Sequence, residues 1–189
     1  MPISKIMTID EFLAWVNLPE NYDSYWELVD GVAIRKPIAS KINTITAGYI
    51  GTFLNMYVLS KKVGYVTSPS GGYKISSKDI FMPKVAFITK ARAGGLDGAI
   101  FENSPDLAVE VVSPSENEKN TFIKAHRYLL NGTSIVWVVY PDDKVVYVCT
   151  LEANNSMNVR MFDETITLTG GDVLPDFMLE VAKIFPDEE

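Results

Sequence analysis

The run from Asp79 to Lys90, DIFMPKVAFITK, constrains the fold more than any other stretch of the chain. Val85, Ala86, Phe87 and Ile88 follow one another without a polar break, so the run reads as a buried strand. Lys84 stands inside it. An ammonium at such a place needs either an exit to water or a negative partner. Any fold for this chain must therefore put a strand in its core and dispose of one cation there.

Neighbouring patterns supply the rest of the architecture. TIDEFLAWV carries Thr8 and, three residues on, Glu11, the reciprocal capping arrangement that opens a helix. YWELVDGVAIRKP places two apolar-rich runs around Asp30-Gly31, a dipeptide suited to a tight hairpin turn. From Ser40 to about Lys62 the sequence predicts the longest helix, with Ile42, Ile45, Tyr49, Phe53 and Met56 recurring as one buried stripe. VGYVTS, PKVAFI and DLAVEVVS read as core strands, separated by Gly, Ser and Asp, with a polar loop from about Lys90 to Ser104. A second capping pattern, Ser115 to Glu118, begins a helix that Gly132 ends. SIVWVVY and KVVYVCT flank the turn PDD, NVRMF and TITLT read as a further antiparallel pair, and LPDFMLEVAKIF as a short closing helix. Helices lie between strands early and hairpins dominate late. The expected class is α/β with an α+β admixture: a mixed central sheet flanked by helices, an N-terminal hairpin and late antiparallel strands.

Composition bounds the setting of this fold. The 189 residues are 47% hydrophobic and include three Trp, nine Tyr and nine Phe, enough for a full core, and no repeat or linker divides them. A single domain over residues 1–189 is expected. The one cysteine, Cys149, excludes an internal disulfide and a cysteine-built metal site, and fits a reducing cytosol. MPISKIMTIDEF lacks the apolar run of a signal peptide, and nothing approaches the roughly 20 apolar residues of a membrane span, so a cytoplasmic protein with no membrane partner is expected. With 24 acids against 17 bases the net charge is -7, which repels polyanions at long range. DNA binding, if it occurs, is weak, salt-sensitive and built on a local patch of Lys124, Arg127, Lys119 and Lys41.

The run PDLAVEVVSPS, then a helix with Lys124 and Tyr128, then NGTSIVWVVYPDDKVVYVC, resembles the Uma family of restriction-endonuclease-like proteins, within the PD-(D/E)XK nuclease superfamily. YWELVDGVAI, the helix after Ser40 and LPDFMLEVAKIF extend the resemblance over nearly the whole chain. It implies a restriction-endonuclease-like core, a homodimer, and an acidic site that hydrolyses DNA phosphodiesters with Mg²⁺ or Mn²⁺. In such a site carboxylates on neighbouring strands give a divalent ion hard oxygen ligands, the ion activates water, and a lysine orients the nucleophile. Glu110 matches the second carboxylate and is the one metal ligand in place. Val112 stands at the usual lysine position, and the resemblance moves that role to Lys124. Glu27, beside LVDG, joins the site on the same basis.

Two positions depart from the family pattern. Its Pro-Asp-Val appears here as Pro83-Lys84-Val85, and the histidine usual on the long helix appears as Asn43. Exchanging a carboxylate for an ammonium changes the local charge by two units, each worth roughly 4 kcal/mol at about 4 Å and an effective dielectric of 20. The metal site is therefore expected to be impaired. Neither nearby acid replaces the lost ligand: Asp79 faces away from Lys84 on an unbroken strand, and Asp106 lies about 13 Å along the strand from Glu110 at roughly 3.3 Å per residue. Two readings stay open. One is a metal-dependent endonuclease with a weakened site; the other is a non-catalytic binding or assembly module in which Lys84 pairs with Glu110 where a cation once sat. Taken singly, Glu110 also reads as a structural ion-pair partner, Lys124 as a solvated surface lysine and Glu27 as an ordinary strand residue. His126 points away from Lys124 on the helix, and Cys149 reads as a small core residue.

Overall fold

The computed structural model describes residues 5–113 and 118–187. The chain starts with α1 (Ile9–Val16), closed by the reciprocal Thr8–Glu11 cap, and then a hairpin of β1 (Trp26–Val29) and β2 (Val32–Arg35). The two-residue turn Asp30-Gly31 has φ of 50° and 79°, the mirror-image geometry that follows the twist of the strands. α2 (Lys41–Lys61) starts at Ser40, whose hydroxyl accepts from the Asn43 N–H, and stops where Lys62 turns left-handed. β3 (Gly64–Thr67), β4 (Tyr73–Ser76), β5 (Asp79–Phe81), β6 (Val85–Thr89), the short α3 (Lys90–Ala93) and β7 (Leu107–Val111) follow. Then come α4 (Glu118–Leu130), β8 (Ile135–Tyr140), β9 (Val145–Leu151), β10 (Met157–Asp163), β11 (Thr167–Gly170), β12 (Leu174–Glu180) and a 3₁₀ turn over Val181–Ile184. The cap expected at Ser115 lies outside the described residues.

The central sheet runs β10-β9-β8-β7-β6-β3, with β7 and β8 parallel and every other pair antiparallel. Alternation along its strands splits the apolar residues between two faces. Val85, Phe87, Val109, Val111, Trp137 and Val139 pack against α2 and the C-terminal segment, whereas Ala86, Ala108, Val112, Val136 and Val138 pack against α4. A mixed sheet flanked by helices is the arrangement the sequence predicts. A second sheet, β2-β1-β5-β4, carries the N-terminal hairpin.

Four expectations are corrected. The run Asp79–Lys90 is not one strand: it is cut at Met82-Pro83-Lys84, so β5 joins the hairpin sheet and β6 the central one. Proline has no N–H to donate, which favours a break at this point. The buried stripe of α2 is Asn43, Thr46, Ala47, Ile50, Leu54 and Val58, while Ile45, Tyr49 and Met56 are exposed. Both stripes have helical spacing, and the smaller residues allow α2 to lie close on β6, where Gly51 faces Val85. NVRMF pairs with β9 rather than with TITLT, which instead pairs with LPDFMLE. That last segment is therefore strand followed by a 3₁₀ turn, not a closing helix.

Candidate functional site

The site forms where the two sheets meet α4. Glu27 sits mid-strand on β1, Glu110 near the end of β7, and Lys124 one helical turn before Tyr128 on α4, so both α4 side chains project to the same face. Lys124 Nζ lies 2.7 Å from Glu27 Oε1 and 2.8 Å from Glu110 Oε1, a single ammonium bridging two buried carboxylates. The Tyr128 hydroxyl donates to Glu110 Oε1 at 3.1 Å, and the Met82 N–H donates to Glu27 Oε1 at 2.6 Å. Beneath the ammonium lies the Phe81 ring, its centroid 5.2 Å from Nζ. The structure thus brings Glu27, Glu110 and Lys124 together.

Lys36, which the sequence reading passed over, is a fourth member. Its Nζ lies 3.1 Å from Glu27 Oε1 and also donates to the Met82 carbonyl. Nothing in RKP marks this lysine as buried; the signal is the hairpin register, which folds the end of β2 back beside Glu27.

Burial alone would raise the Glu27 carboxyl, but the charges of Lys124 and Lys36 and the Met82 N–H overcome it and hold Glu27 at about 2. For Lys124, burial opposes the charge and the two carboxylates outweigh it, so its pKa rises above the ordinary value. Lys36 moves the other way: burial and then the Lys124 charge push it below the ordinary lysine value against the pull of Glu27 and Glu110.

The pairing of Lys84 with Glu110 is not formed. The Lys84 N–H donates to the carbonyl of Val109, the residue already in register with Val85, so two residues of one strand meet one of the other in a bulge-like offset. Alternation does not carry on to Lys84, and the partners of Glu110 are Lys124 and Tyr128. Among the described residues Lys84 makes no ion pair, although it is only 9% exposed.

Asn43 is buried at the start of α2, where its Nδ2 donates to Ser113 Oγ at 2.7 Å, and it touches none of Glu27, Glu110 and Lys124 in a hydrogen bond among the described residues. Asp79 is bound to Arg127 and to the Asp30 N–H, and Asp106 to Arg92 and the Thr89 N–H; neither reaches the centre. The basic patch is also corrected. Lys124 is spent on the two carboxylates and Arg127 on Asp30 and Asp79, which leaves Lys119 and Lys41 as solvated residues. His126 contacts the Asn155 carbonyl, and Cys149 is in the core.

The carboxylates of this donor set are already paired with cations. Glu27 and Glu110 already share one ammonium, Lys36 is a second cation on Glu27, and Lys84 lines the same small cavity. Among the described residues no three Asp, Glu, His or Cys side chains come close enough to hold a metal.

The model of the Uma2 family, described as "Putative restriction endonuclease", matches residues 9–182. The chain belongs to the Uma2 family. No curated protein matches it. Among solved structures, a protein from Anabaena variabilis described as "a putative nuclease belonging to DUF820" superposes with a TM-score of 0.81 at 20% identity, covering 95% of this chain and 97% of the other. At that identity the likeness shows a shared fold, a mixed sheet with flanking helices. Among the described residues of this Uma2 protein, no helix is long and apolar enough to cross a membrane.

Proposed function

We propose that this Uma2 protein is a single nuclease-fold domain that binds nucleic-acid phosphate weakly and lacks metal-dependent endonuclease activity, its acidic centre being filled by lysine side chains. One observation carries the reading: Lys124 Nζ bridges Glu27 and Glu110 at 2.7 and 2.8 Å. Both carboxylates that would serve a divalent ion are thereby engaged, and Lys36, the second ammonium on Glu27, brings their two charges into balance. With Lys36 and Lys84 at the same centre, cations outnumber acids among the described residues, and the potential favours a phosphate over Mg²⁺ or Mn²⁺.

The alternative is a metal-dependent DNA endonuclease with a weakened site, favoured by the same lysine, since Lys124 lies against Glu110 where the family resemblance sets its catalytic lysine. Titration with Mg²⁺ and Mn²⁺ in a calorimeter, with plasmid cleavage assayed alongside, separates the two. No heat at millimolar metal and intact plasmid are expected. Micromolar metal binding, or cleavage abolished by EDTA, overturns the proposal. In solution the protein is proposed to be a homodimer.

A further inference from the structure

Lys84 poses a physical problem that the acidic centre does not solve. Its side chain is nine-tenths buried, with no carboxylate partner among the described residues, and a cation in that state is unfavourable unless something negative comes to it. Lys84 borders the small cavity of about 250 Å³ that holds Glu27, Glu110 and Lys124. It also lines a much larger cleft of about 860 Å³ on the α2 side. Among the described residues, Arg35, Lys36 and Lys84 are the cations of that cleft and Asp23 is its one acid, a local excess of positive charge in a chain whose net charge is -7. Lys36 is engaged with Glu27, so Lys84 and the exposed Arg35 are the cations left for a ligand. Thr67, Ser68 and Ser70 also line the cleft, with the Thr67 hydroxyl bonded to that of Tyr73 and the Ser68 hydroxyl to that of Ser70.

We propose that the cleft is a metal-independent pocket for a phosphate monoester of nucleotide size, its phosphate seated on Lys84 and Arg35. The proposal rests on the reading that no divalent ion occupies the neighbouring acidic centre. Charge and size select this ligand class. A monoester carries between about -1.5 and -2 near neutral pH, matching two cations, and clefts of about 300–1,000 Å³ enclose ligands of drug or nucleotide size. A duplex is disfavoured because it needs a broad basic surface, whereas Lys124 and Arg127 are consumed by carboxylates. The same chemistry occurs in a free 5′-mononucleotide and at the 5′-phosphorylated end of a strand.

The test uses the full chain in EDTA, by calorimetry, with a 5′-mononucleotide, the matching nucleoside, and a short oligonucleotide with and without a 5′-phosphate. The mononucleotide or the phosphorylated end is expected to bind, more weakly as salt rises, while the nucleoside does not bind and the unphosphorylated strand binds more weakly than the phosphorylated one. Tighter binding by the mononucleotide makes the free nucleotide the ligand; tighter binding by the phosphorylated strand makes it the strand end. Lys84→Met should weaken binding at least about tenfold, the usual effect of losing a charged hydrogen-bond partner. Its melting temperature should be no lower than the parent's, since an unpartnered buried charge is removed. Equal binding by Lys84→Met, equal binding of nucleoside and nucleotide, or no binding by either phosphate probe overturns the pocket. If Mg²⁺ binds in micromolar amounts while phosphate binding in EDTA still requires Lys84, the pocket stands and the metal-free reading of the centre fails.

Discussion

Lys124 and Lys84 carry the same charge and line the same small cavity, yet their environments predict opposite responses to mutation. Removing the Lys124 ammonium leaves, among the described residues, Glu110 with only Tyr128 and Glu27 with only Lys36 and the Met82 N–H. Lys124→Met should cost about 3–5 kcal/mol in urea unfolding, as is usual when one partner of a buried pair is removed. A loss below about 1 kcal/mol would show that the bridge contributes little. Glu27 makes the same network sensitive to acid. Its folded pKa of about 2 lies below the ordinary 4.5, so the stability it contributes is complete above pH 4.5 and is lost as pH falls toward 2. The urea midpoint should drop across that window, and Glu27→Gln should flatten the drop; an unchanged slope assigns the acid sensitivity elsewhere. Glu27, Glu110 and Lys124 were legible because each carries a charge amid apolar neighbours in an order that resembles a known family. Lys36 was not, because a lysine before a proline at a strand end looks solvated until the hairpin register is known. Nor was the setting of Lys84, because a bulge breaks the alternation on which its expected pairing depended.

Among the elements, α2 shows why periodicity can locate a helix without orienting it. Apolar residues occupy two stripes of the same spacing, so the pattern gave the bounds, Ser40 to Lys62, and chose the wrong face. What decides is the fit against β6 and β7, a property of two elements together. Ile50→Ala should therefore cost about 2–5 kcal/mol, and Ile45→Ala less than about 0.5 kcal/mol. Comparable losses at both positions in urea unfolding would contradict the observed orientation. Strand existence was likewise easier to read than strand partnership. β8 and β9 are joined by a tight turn and pair as expected, whereas β10 and β11 are adjacent in sequence and belong to different sheets. Local pattern specifies a strand; only the packed core specifies its neighbour.

For the whole molecule, the sheet edge at β10 sets the expectation for assembly. β9 is paired on both sides, so the outer edge belongs to β10, where Val159 and Met161 are exposed. Such an edge invites strand addition by a second copy, and charged edge residues block it. Sedimentation should show a dimer at micromolar concentration, and Val159→Lys with Met161→Lys should give the 21.0 kDa monomer. A parent that sediments as a monomer would end this expectation. The interior of the same sheet has a different consequence. Cys149 is the single cysteine, fully buried on β9 between register partners Val136 and Val159, and burial pushes its thiol up to about 12. A thiol-reactive dye can modify it only when β9 parts from its neighbours, so the labelling rate in native buffer is a built-in clock for the opening of the central sheet. Labelling that speeds up in parallel with global unfolding as urea is added would mark the sheet as the last cooperative unit to open; fast labelling without urea would reveal a separate, low-energy route by which β9 separates.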